Sequence, residues 1–378
     1  MNMLDRVAQQ HSQKLIAHII QQINSHGGQI SFTDFMHAAL YAPGLGYYSA
    51  GTTKFGAAGD FVTAPELGKL FAQCLAVQCT QILNSLHYKN IFELGAGSGQ
   101  LACDLLRALA QQEIQLENYF ILELSADLRQ RQQEKIFKQC PEFCNIVHWL
   151  EQLPSTPIEA IIVANEVVDA MPVARFHFEN NILQEYYIKL DEHGFTEVLA
   201  PASENLQTAF TAANIAEYVS QPYISEINLW LSNWLQSLNN VLSNGAILIA
   251  DYGFPRAEYY HPQRNQGTLM CHYRHRSHTN PLVNIGLQDI TAHVDFTAIA
   301  EAADAYGLEI AGYTNQASFL LNCGIIKFLE FGNIKQHQEL QTLTSPSEMG
   351  ELFKIIALTK NIDTQPLGFE HFDKQHRL

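Results

Sequence analysis

The residues best suited to binding chemistry stand in one glycine-rich run. Glu93-Leu94-Gly95-Ala96-Gly97-Ser98-Gly99 follows a short apolar stretch and precedes a pattern typical of a helix. Glycines at such a place let the backbone turn sharply and approach a ligand closely, and the following helix presents its N-terminus. The run therefore predicts a ligand-binding turn. The residues expected to bind there are Glu93, Gly95, Ala96, Gly97 and Gly99.

An acid at the end of the next predicted strand narrows the choice of ligand. Glu123 follows Ile121 and Leu122, where a carboxylate is well placed to accept hydrogen bonds from both hydroxyls of a ribose. Proteins that bind NAD share this layout, but their turn reads GxGxxG, whereas Gln100 stands at the sixth position here. The pattern therefore favours S-adenosylmethionine (SAM), which carries no phosphates, over a dinucleotide. A glycine turn without a ligand is the alternative.

A second polar group ends another apolar run. Ala160–Ala164 reads as a buried strand, and Asn165, Glu166 and Asp169 follow it. We expect these three side chains to lie beside the methyl group of SAM and to carry catalysis, although acids near a helix N-terminus would explain them without any function. Asp251-Tyr252-Gly253 ends a fifth strand in the same way, either as a capped turn or as part of the site.

The elements that must position these residues alternate between strand and helix. Short apolar runs such as Ala246–Ala250 are typical of strands buried on both faces. The alternation predicts an α/β, Rossmann-like fold of the class I SAM-dependent methyltransferase type, with a mostly parallel sheet, right-handed crossovers and helices on both faces. Strands are predicted at 90–94, 119–124, 145–149, 308–313 and 354–359, and helices at 101–111, 126–138 and 296–305.

The same reading divides the chain into regions. Residues 1–88 are expected to hold two helices, the second capped by Ser31, and a glycine- and aromatic-rich stretch over 41–61 that forms a lid or a rigid cap. Residues 89–175 and 241–378 form the SAM-binding core. Residues 176–240 form an inserted substrate or cap region that contains a small antiparallel sheet.

Composition limits the partners. A net charge of −16 argues against nucleic acid and suits a basic small molecule or a protein that bears arginine or lysine. No apolar run is long enough for a membrane span, and the start of the sequence does not match a secretory signal, so a cytoplasmic location is expected. The seven cysteines form no CxxC pair and are interpreted as reduced thiols.

A histidine-rich segment is interpreted without a metal. His272, His275, His278 and His293 lack a helical HxxxH unit and stand among Arg274 and Arg276. We expect a basic element that pairs with acids of the fold or a surface that positions the substrate. The sequence predicts no metal site.

Several motifs together resemble the MidA-like family of SAM-dependent methyltransferases, whose mitochondrial members are arginine methyltransferases that assist assembly of respiratory complex I. They are Tyr41-Ala42-Pro43-Gly44-Leu45-Gly46-Tyr47-Tyr48, Gly59-Asp60-Phe61-Val62-Thr63-Ala64-Pro65-Glu66, the turn at 93–99, Asn165-Glu166-Val167-Val168-Asp169-Ala170-Met171-Pro172, Tyr273-Arg274-His275-Arg276 and Thr291-Ala292-His293-Val294-Asp295-Phe296. The resemblance implies that Asp60, Phe61 and Thr63 close over SAM, and that Asn165, Glu166 and Asp169 face the methyl acceptor.

Three functions follow from the residues and the resemblance. The first is a protein methyltransferase that acts on arginine, with a respiratory complex I subunit as the implied target. The second is a non-catalytic assembly factor that binds SAM, and the third is a small-molecule methyltransferase. The resemblance implies a mitochondrial location for eukaryotic relatives, and the sequence leaves the oligomeric state open.

Overall fold

A computed structural model describes residues 3–49 and 63–378, with side chains from residue 7. Residues 50–62, which include Asp60, Phe61 and positions 50–61 of the predicted lid, lie outside the described residues. The helices are α1 (Met3–Ser25), α2 (Phe32–Tyr41), α3 (Ala64–Leu67), α4 (Leu70–Leu83), α5 (Gln100–Gln111), α6 (Ala126–Gln139), α7 (Glu204–Ala212), α8 (Leu231–Val241), α9 (Arg256–Tyr259), α10 (Phe296–Ala305), α11 (Gln316–Asn322), α12 (Ile334–Thr344) and α13 (Met349–Leu352).

The strands match most of the predicted apolar runs. They are β1 (Gln29–Ser31), β2 (Asn90–Leu94), β3 (Asn118–Leu122), β4 (Val147–Leu150), β5 (Ile158–Asn165), β6 (Ala174–Glu179), β7 (Ile182–Asp191), β8 (Gly194–Pro201), β9 (Tyr223–Ile227), β10 (Leu242–Phe254), β11 (Met270–Tyr273), β12 (Arg276–His278), β13 (Asp289–Thr291), β14 (Val294–Asp295), β15 (Glu309–Asn315) and β16 (Phe353–Lys360).

Side-chain caps set the start of several helices. The Ser31 hydroxyl accepts the N–H of Asp34 at 3.0 Å at the start of α2. Asp295 accepts the N–H of Thr297 at 3.0 Å, so α10 begins at Phe296 as the sequence predicts. Such caps satisfy N–H groups that have no partner within the helix.

The chain forms two compact units. The core unit comprises Val62–Val168, Ser232–Pro255 and Val294–Leu378, and the N-terminal unit comprises Met1–Phe61, Asp169–Leu231 and Arg256–His293. These boundaries differ from the predicted regions, because α4 packs its apolar residues with those of α5 in the core unit. The predicted roles of the regions as lid and substrate cap stay predictions.

The core unit contains a mixed sheet of eight strands in the order β15-β16-β10-β5-β2-β3-β4, with β14 added beside β10. Neighbours from β10 to β4 run parallel, whereas β16 is antiparallel to both β10 and β15. The prediction of a mostly parallel sheet therefore holds for the half that carries the glycine turn. It misses the reversal of β16, which apolar patterning alone does not encode.

One strand is longer than predicted. Asp251-Tyr252-Gly253 does not end β10, which continues to Phe254 and pairs Gly253 with Val294 of β14. A Cβ atom at Gly253 would overlap the carbonyl of Val294, so the glycine allows the two backbones to approach. The glycine marks close strand pairing at this position rather than a turn.

The N-terminal unit has its own sheets and its own apolar core. Strands β1, β7, β6 and β9 lie side by side with β8 beside β7, all antiparallel, and β12-β11-β13 form a smaller sheet. The predicted antiparallel insert is thus confirmed. Its core contains residues from distant stretches of the chain, among them Leu15, Phe35, Ile188, Leu269 and Ile290.

Candidate functional site

The glycine turn joins β2 to α5. Gly95, Gly97 and Gly99 have φ angles of +63°, +53° and +79°, in the left-handed region that favours glycine. Gly95 is exposed, and its N–H donates to the carbonyl of Leu122 on the neighbouring strand at 3.1 Å. The turn therefore presents a bare backbone at the carboxyl end of the strand, which suits a ligand that must come close.

Glu123 follows β3 directly and has a fixed carboxylate. Only 7% of the residue is exposed. One carboxylate oxygen accepts the N–H of Ser125 at 2.9 Å, and the other accepts Nε2 of Gln132 at 2.9 Å. Both carboxylate oxygens are therefore held in position by neighbouring groups.

The residue after this carboxylate is apolar and open to solvent. Leu124 is 75% exposed, which is uncommon for a leucine that follows a central strand of the sheet. An exposed apolar side chain next to the acid that is predicted to bind the ribose suits the face of an adenine ring. The glycine turn, the Glu123 carboxylate and the exposed Leu124 side chain together fit an adenosyl group.

Glu93 lies inside the sheet, with only 2% of the residue exposed. The hydroxyl of Tyr119 on β3 donates to its Oε2 at 2.7 Å. Burial raises the pKa of Glu93 to about 7, the Tyr119 hydrogen bond opposes that shift, and the nearby charge of Glu123 adds to it. The structure thus gives Glu93 a protein partner, while its predicted contact with SAM stays a prediction.

Side chains from two helices hold the serine of the turn. The hydroxyl of Ser98 donates to the carboxylate of Glu66 on α3 and accepts Nζ of Lys135 on α6 at 3.1 Å. Thr63, at the N-cap position of α3, is buried, and its side chain makes no capping hydrogen bond. Glu66 directly follows the stretch of the chain that is predicted to close over SAM.

Asn165 and Glu166 lie at the same edge of the sheet as the glycine turn. Leu94 pairs with Ala164 in the parallel β2–β5 register, so Gly95 and Asn165 both follow directly after paired residues. Glu166 has a φ of +52°, an unfavourable backbone conformation for a glutamate, and Nδ2 of Asn165 lies 3.3 Å from its Oε1. Backbone strain of this kind concentrates at functional sites.

Asp169 opens the second stretch of the N-terminal unit. It is buried, and its backbone carbonyl accepts the N–H of Ala292 at 3.0 Å. The hydroxyl of Tyr41 donates to the next carbonyl, that of Ala170, at 2.9 Å. Two of the resemblance motifs, at 41–48 and 291–296, thus support the backbone around Asp169, and its catalytic role stays a prediction.

The histidine-rich segment forms a hairpin. Strands β11 and β12 are joined by Arg274 and His275, whose φ angles are +49° and +61°. Within residues 3–49 and 63–378, no group of histidine, cysteine and acidic side chains is arranged to hold a metal ion.

In the same described part of the chain, no helix has the length and apolar character needed to cross a membrane.

Comparison with known proteins identifies the class. Residues 74–314 match a family described as "Putative S-adenosyl-L-methionine-dependent methyltransferase". A crystal structure from Burkholderia thailandensis, described as a "likely methyl transferase" bound to S-adenosyl-homocysteine, is 42% identical with a TM-score of 0.93 and covers 98% of both chains. The mitochondrial protein arginine methyltransferase NDUFAF7 of Mus musculus is 28% identical over 91% of this chain and 84% of its own.

The human mitochondrial protein arginine methyltransferase NDUFAF7 is 25% identical over 91% of this chain and 83% of its own. Together with the glycine turn and Glu123, these matches define a SAM-dependent methyltransferase, an enzyme whose cofactor is SAM. The chain belongs to the MidA-like family of these enzymes.

Three residues of this region have no sequence signal that singles them out. Gln132 sits in a helix in which ten of the fourteen residues are polar, Leu124 looks like the end of a strand, and Glu66 looks like a first-turn acid of a helix. Gly97, one of the partners of Gln132, and Ser98, the partner of Glu66, lie 35 and 32 residues away along the chain. The family motif Gly59–Glu66 contains Glu66, but the motif does not indicate that Ser98 is its partner.

Proposed function

We propose that this methyltransferase transfers the methyl group of SAM to an arginine side chain of a protein. The proposed acceptor protein is a subunit of a respiratory complex I-type enzyme. The observation that carries the proposal is the Asn165–Glu166 pair at the edge of the sheet that bears the glycine turn. The names of the mouse and human relatives support arginine as the acceptor and a protein as the substrate.

The class I form of the Rossmann-like fold is part of the proposal. The order β4-β3-β2-β5-β10-β16-β15, with β16 as the reversed strand, supports it. In such open sheets a ligand binds outside the carboxyl ends of the strands. Here the ends of β2, β3 and β5 carry Gly95, Glu123 and Asn165.

The proposed cofactor site uses the glycine turn and Glu123. The backbone of Gly95, Ala96, Gly97 and Gly99 faces SAM, and the carboxylate of Glu123 accepts the ribose hydroxyls. Glu93 supports the methionine end from within the sheet, and Asp60, Phe61 and Thr63 close over the ligand.

SAM supplies an activated methyl group on a sulfonium, so the protein must bring a nucleophile into line and exclude water. Glu166 and Asp169 hold the guanidinium of the acceptor through charge-assisted hydrogen bonds and draw its positive charge away from the attacking nitrogen. Asn165 fixes the direction of the Glu166 carboxylate. The nitrogen releases one proton as it gains the methyl group, and a carboxylate is the natural acceptor.

Two other functions compete with this one. A non-catalytic factor that binds SAM and supports the assembly of a partner protein uses the same cofactor site without methyl transfer. A small-molecule methyltransferase transfers methyl groups to a metabolite and labels no protein. In a bacterial cell we expect the protein in the cytoplasm, whereas the eukaryotic relatives named above are mitochondrial.

Calorimetric titration with SAM and S-adenosyl-homocysteine tests the cofactor site, with NADH as the negative control. Glu123→Ala is expected to weaken binding, whereas the exposed Glu134→Ala is the matched control. Equal binding by wild type and Glu123→Ala rejects the proposed position of SAM.

Incubation with methyl-labelled SAM and an extract of cells that lack the protein tests the acceptor. We expect labelled arginine in a protein, lost with Glu166→Gln and Asp169→Asn. Label found only in small molecules supports the metabolite enzyme. Binding of SAM without any transfer supports the assembly factor.

A further inference from the structure

Gln132 is a polar residue in the interior of the core unit. It lies on α6, and none of its surface is exposed. Its side chain makes three hydrogen bonds: Nε2 donates to the carbonyl of Gly97 at 3.0 Å and to Oε2 of Glu123 at 2.9 Å, and Oε1 accepts Nε1–H of Trp149 at 3.0 Å. Three of the four hydrogen-bonding positions of this buried amide are therefore occupied.

The three partners fix which way the amide points. An indole N–H is only a donor, so Trp149 requires the oxygen of the amide on its side. The nitrogen then faces two acceptors, the Gly97 carbonyl and the Glu123 carboxylate. A rotated amide would set its oxygen against both acceptors and its N–H groups against the indole donor, so only one orientation satisfies every group.

This geometry joins the two parts of the proposed cofactor site. One proton of Nε2 holds the backbone of the glycine turn, and the other holds the carboxylate of Glu123. A Cβ atom at Gly99 would lie 3.4 Å from Cα and Cγ of Gln132, so the turn packs directly on this residue. The position of the carboxylate relative to the turn is therefore set by one side chain.

We propose that Gln132 is a positioning residue for SAM: with Trp149 behind it, it holds the Glu123 carboxylate in the orientation that receives the ribose hydroxyls. The inference rests on the proposed position of SAM at the glycine turn. Gln132 itself acts through Glu123. Its loss should weaken cofactor binding while the acceptor groups stay in place.

Gln132→Met tests the inference, because methionine has a similar length and removes both donors. We expect the affinity for S-adenosyl-homocysteine to fall about ten- to hundredfold, the scale of a hydrogen bond to a charged group. Trp149→Phe removes only the group that orients the amide and should cost about two- to fivefold. Gln130→Met, at an exposed position of the same helix, is the matched control and should bind as wild type does.

A double-mutant cycle separates positioning from general damage. Calorimetry with S-adenosyl-homocysteine is run on wild type, Gln132→Met, Glu123→Ala and the double variant, with urea unfolding of each. If Gln132 acts through Glu123, the double variant binds about as weakly as Glu123→Ala alone. In kinetics with methyl-labelled SAM and that cell extract as the source of acceptor, Gln132→Met should raise KM for SAM and leave kcat nearly unchanged.

If the double variant loses affinity for S-adenosyl-homocysteine by the product of the two single losses, the inference is wrong. It is also wrong if Gln132→Met binds S-adenosyl-homocysteine with wild-type affinity. In both cases a weakened Glu123→Ala leaves the proposed SAM position intact. Wild-type affinity in Glu123→Ala overturns the inference and the SAM position together. If Gln132→Met does not fold, Trp149→Phe replaces it in the cycle. The inference then requires that Trp149→Phe causes no further fall in affinity when Glu123→Ala is already present.

Discussion

The carboxylate of Asp251 on β10 accepts the backbone N–H of Val168 at 3.0 Å. Asp251 is completely buried, and its other oxygen accepts the N–H of Tyr252 at 2.9 Å. The interpretation of Asp251-Tyr252-Gly253 as a capped turn at the end of its own strand is wrong, because β10 continues to Phe254; the hydrogen bonds of Asp251 hold the turn after β5 instead. The turn they cap is the one that carries Asn165 and Glu166.

Asp251→Ala should therefore lower both stability and activity. The substitution leaves the buried N–H of Val168 without this acceptor, which costs about 1–3 kcal/mol in the free energy of unfolding. Urea unfolding measures that loss, and initial rates should fall because Glu166 is no longer held in place. Asp251→Asn keeps one acceptor oxygen and should recover part of the stability, whereas an alanine variant as stable as wild type contradicts the role.

Glu166→Asn should separate stability from catalysis. The φ of +52° is costly for glutamate, whereas asparagine adopts this region more readily. We expect the free energy of unfolding to rise by up to about 1 kcal/mol while methyl transfer is lost. Glu166→Gln, which keeps the strain and removes the charge, is the comparison, and retention of full activity by both variants would falsify a catalytic role for Glu166.

The pKa of Glu93 predicts a pH effect on stability. Its pKa is raised from 4.5 to about 7 in the folded protein by burial, so between these values the unfolded chain is ionised while the folded chain keeps the proton. The contribution of Glu93 is complete below pH 4.5 and is lost as the pH rises through 7. The total is on the order of 3 kcal/mol.

Glu93→Gln should remove that dependence. Urea unfolding at pH 5, 6.5 and 8 should show wild type losing stability relative to the variant as the pH rises. The exposed Glu117→Gln controls for the replacement of a carboxylate by an amide. Parallel profiles for wild type and Glu93→Gln would contradict the raised pKa.

The cysteines should be protected thiols. All seven are free, and six of them are buried, while Cys144 is half-buried. Burial raises the pKa of Cys74, Cys79 and Cys103, so few thiolates form near neutral pH. A thiol reagent such as DTNB should react quickly with about one equivalent in the native protein and with seven in denaturant. Cys144→Ser should abolish the fast reaction, and fewer than seven equivalents in denaturant would indicate a disulfide.

Local patterns predicted most of the elements of the sheet and the glycine turn. The strand at 90–94 and the helix at 296–305 have the predicted bounds, because a short apolar run that ends in glycines defines the strand and the Asp295 cap defines the start of the helix. The left-handed angles of the turn were also accessible, since the sequence supplies glycine at each such position.

Features that depend on distant partners were not accessible. The direction of β16 depends on which strands it joins, and the length of β10 depends on the approach of β14. Gln132 shows the same limit within the candidate site, because its helix reads as a solvent-facing one and the Gly97 and Trp149 contacts appear only in the fold. The groups missed by sequence reasoning are thus mostly those that orient the predicted ones.

The division of the N-terminal unit into three stretches also has a consequence for how the protein is made. Helices α1 and α2 leave the ribosome first, yet their apolar partners Ile188, Leu269 and Ile290 are synthesised much later. At ordinary rates of about 5–20 residues per second, that wait lasts on the order of ten seconds or more. During this time the nascent chain carries an uncovered apolar helix face, so its yield in cells should depend on chaperones that bind such surfaces.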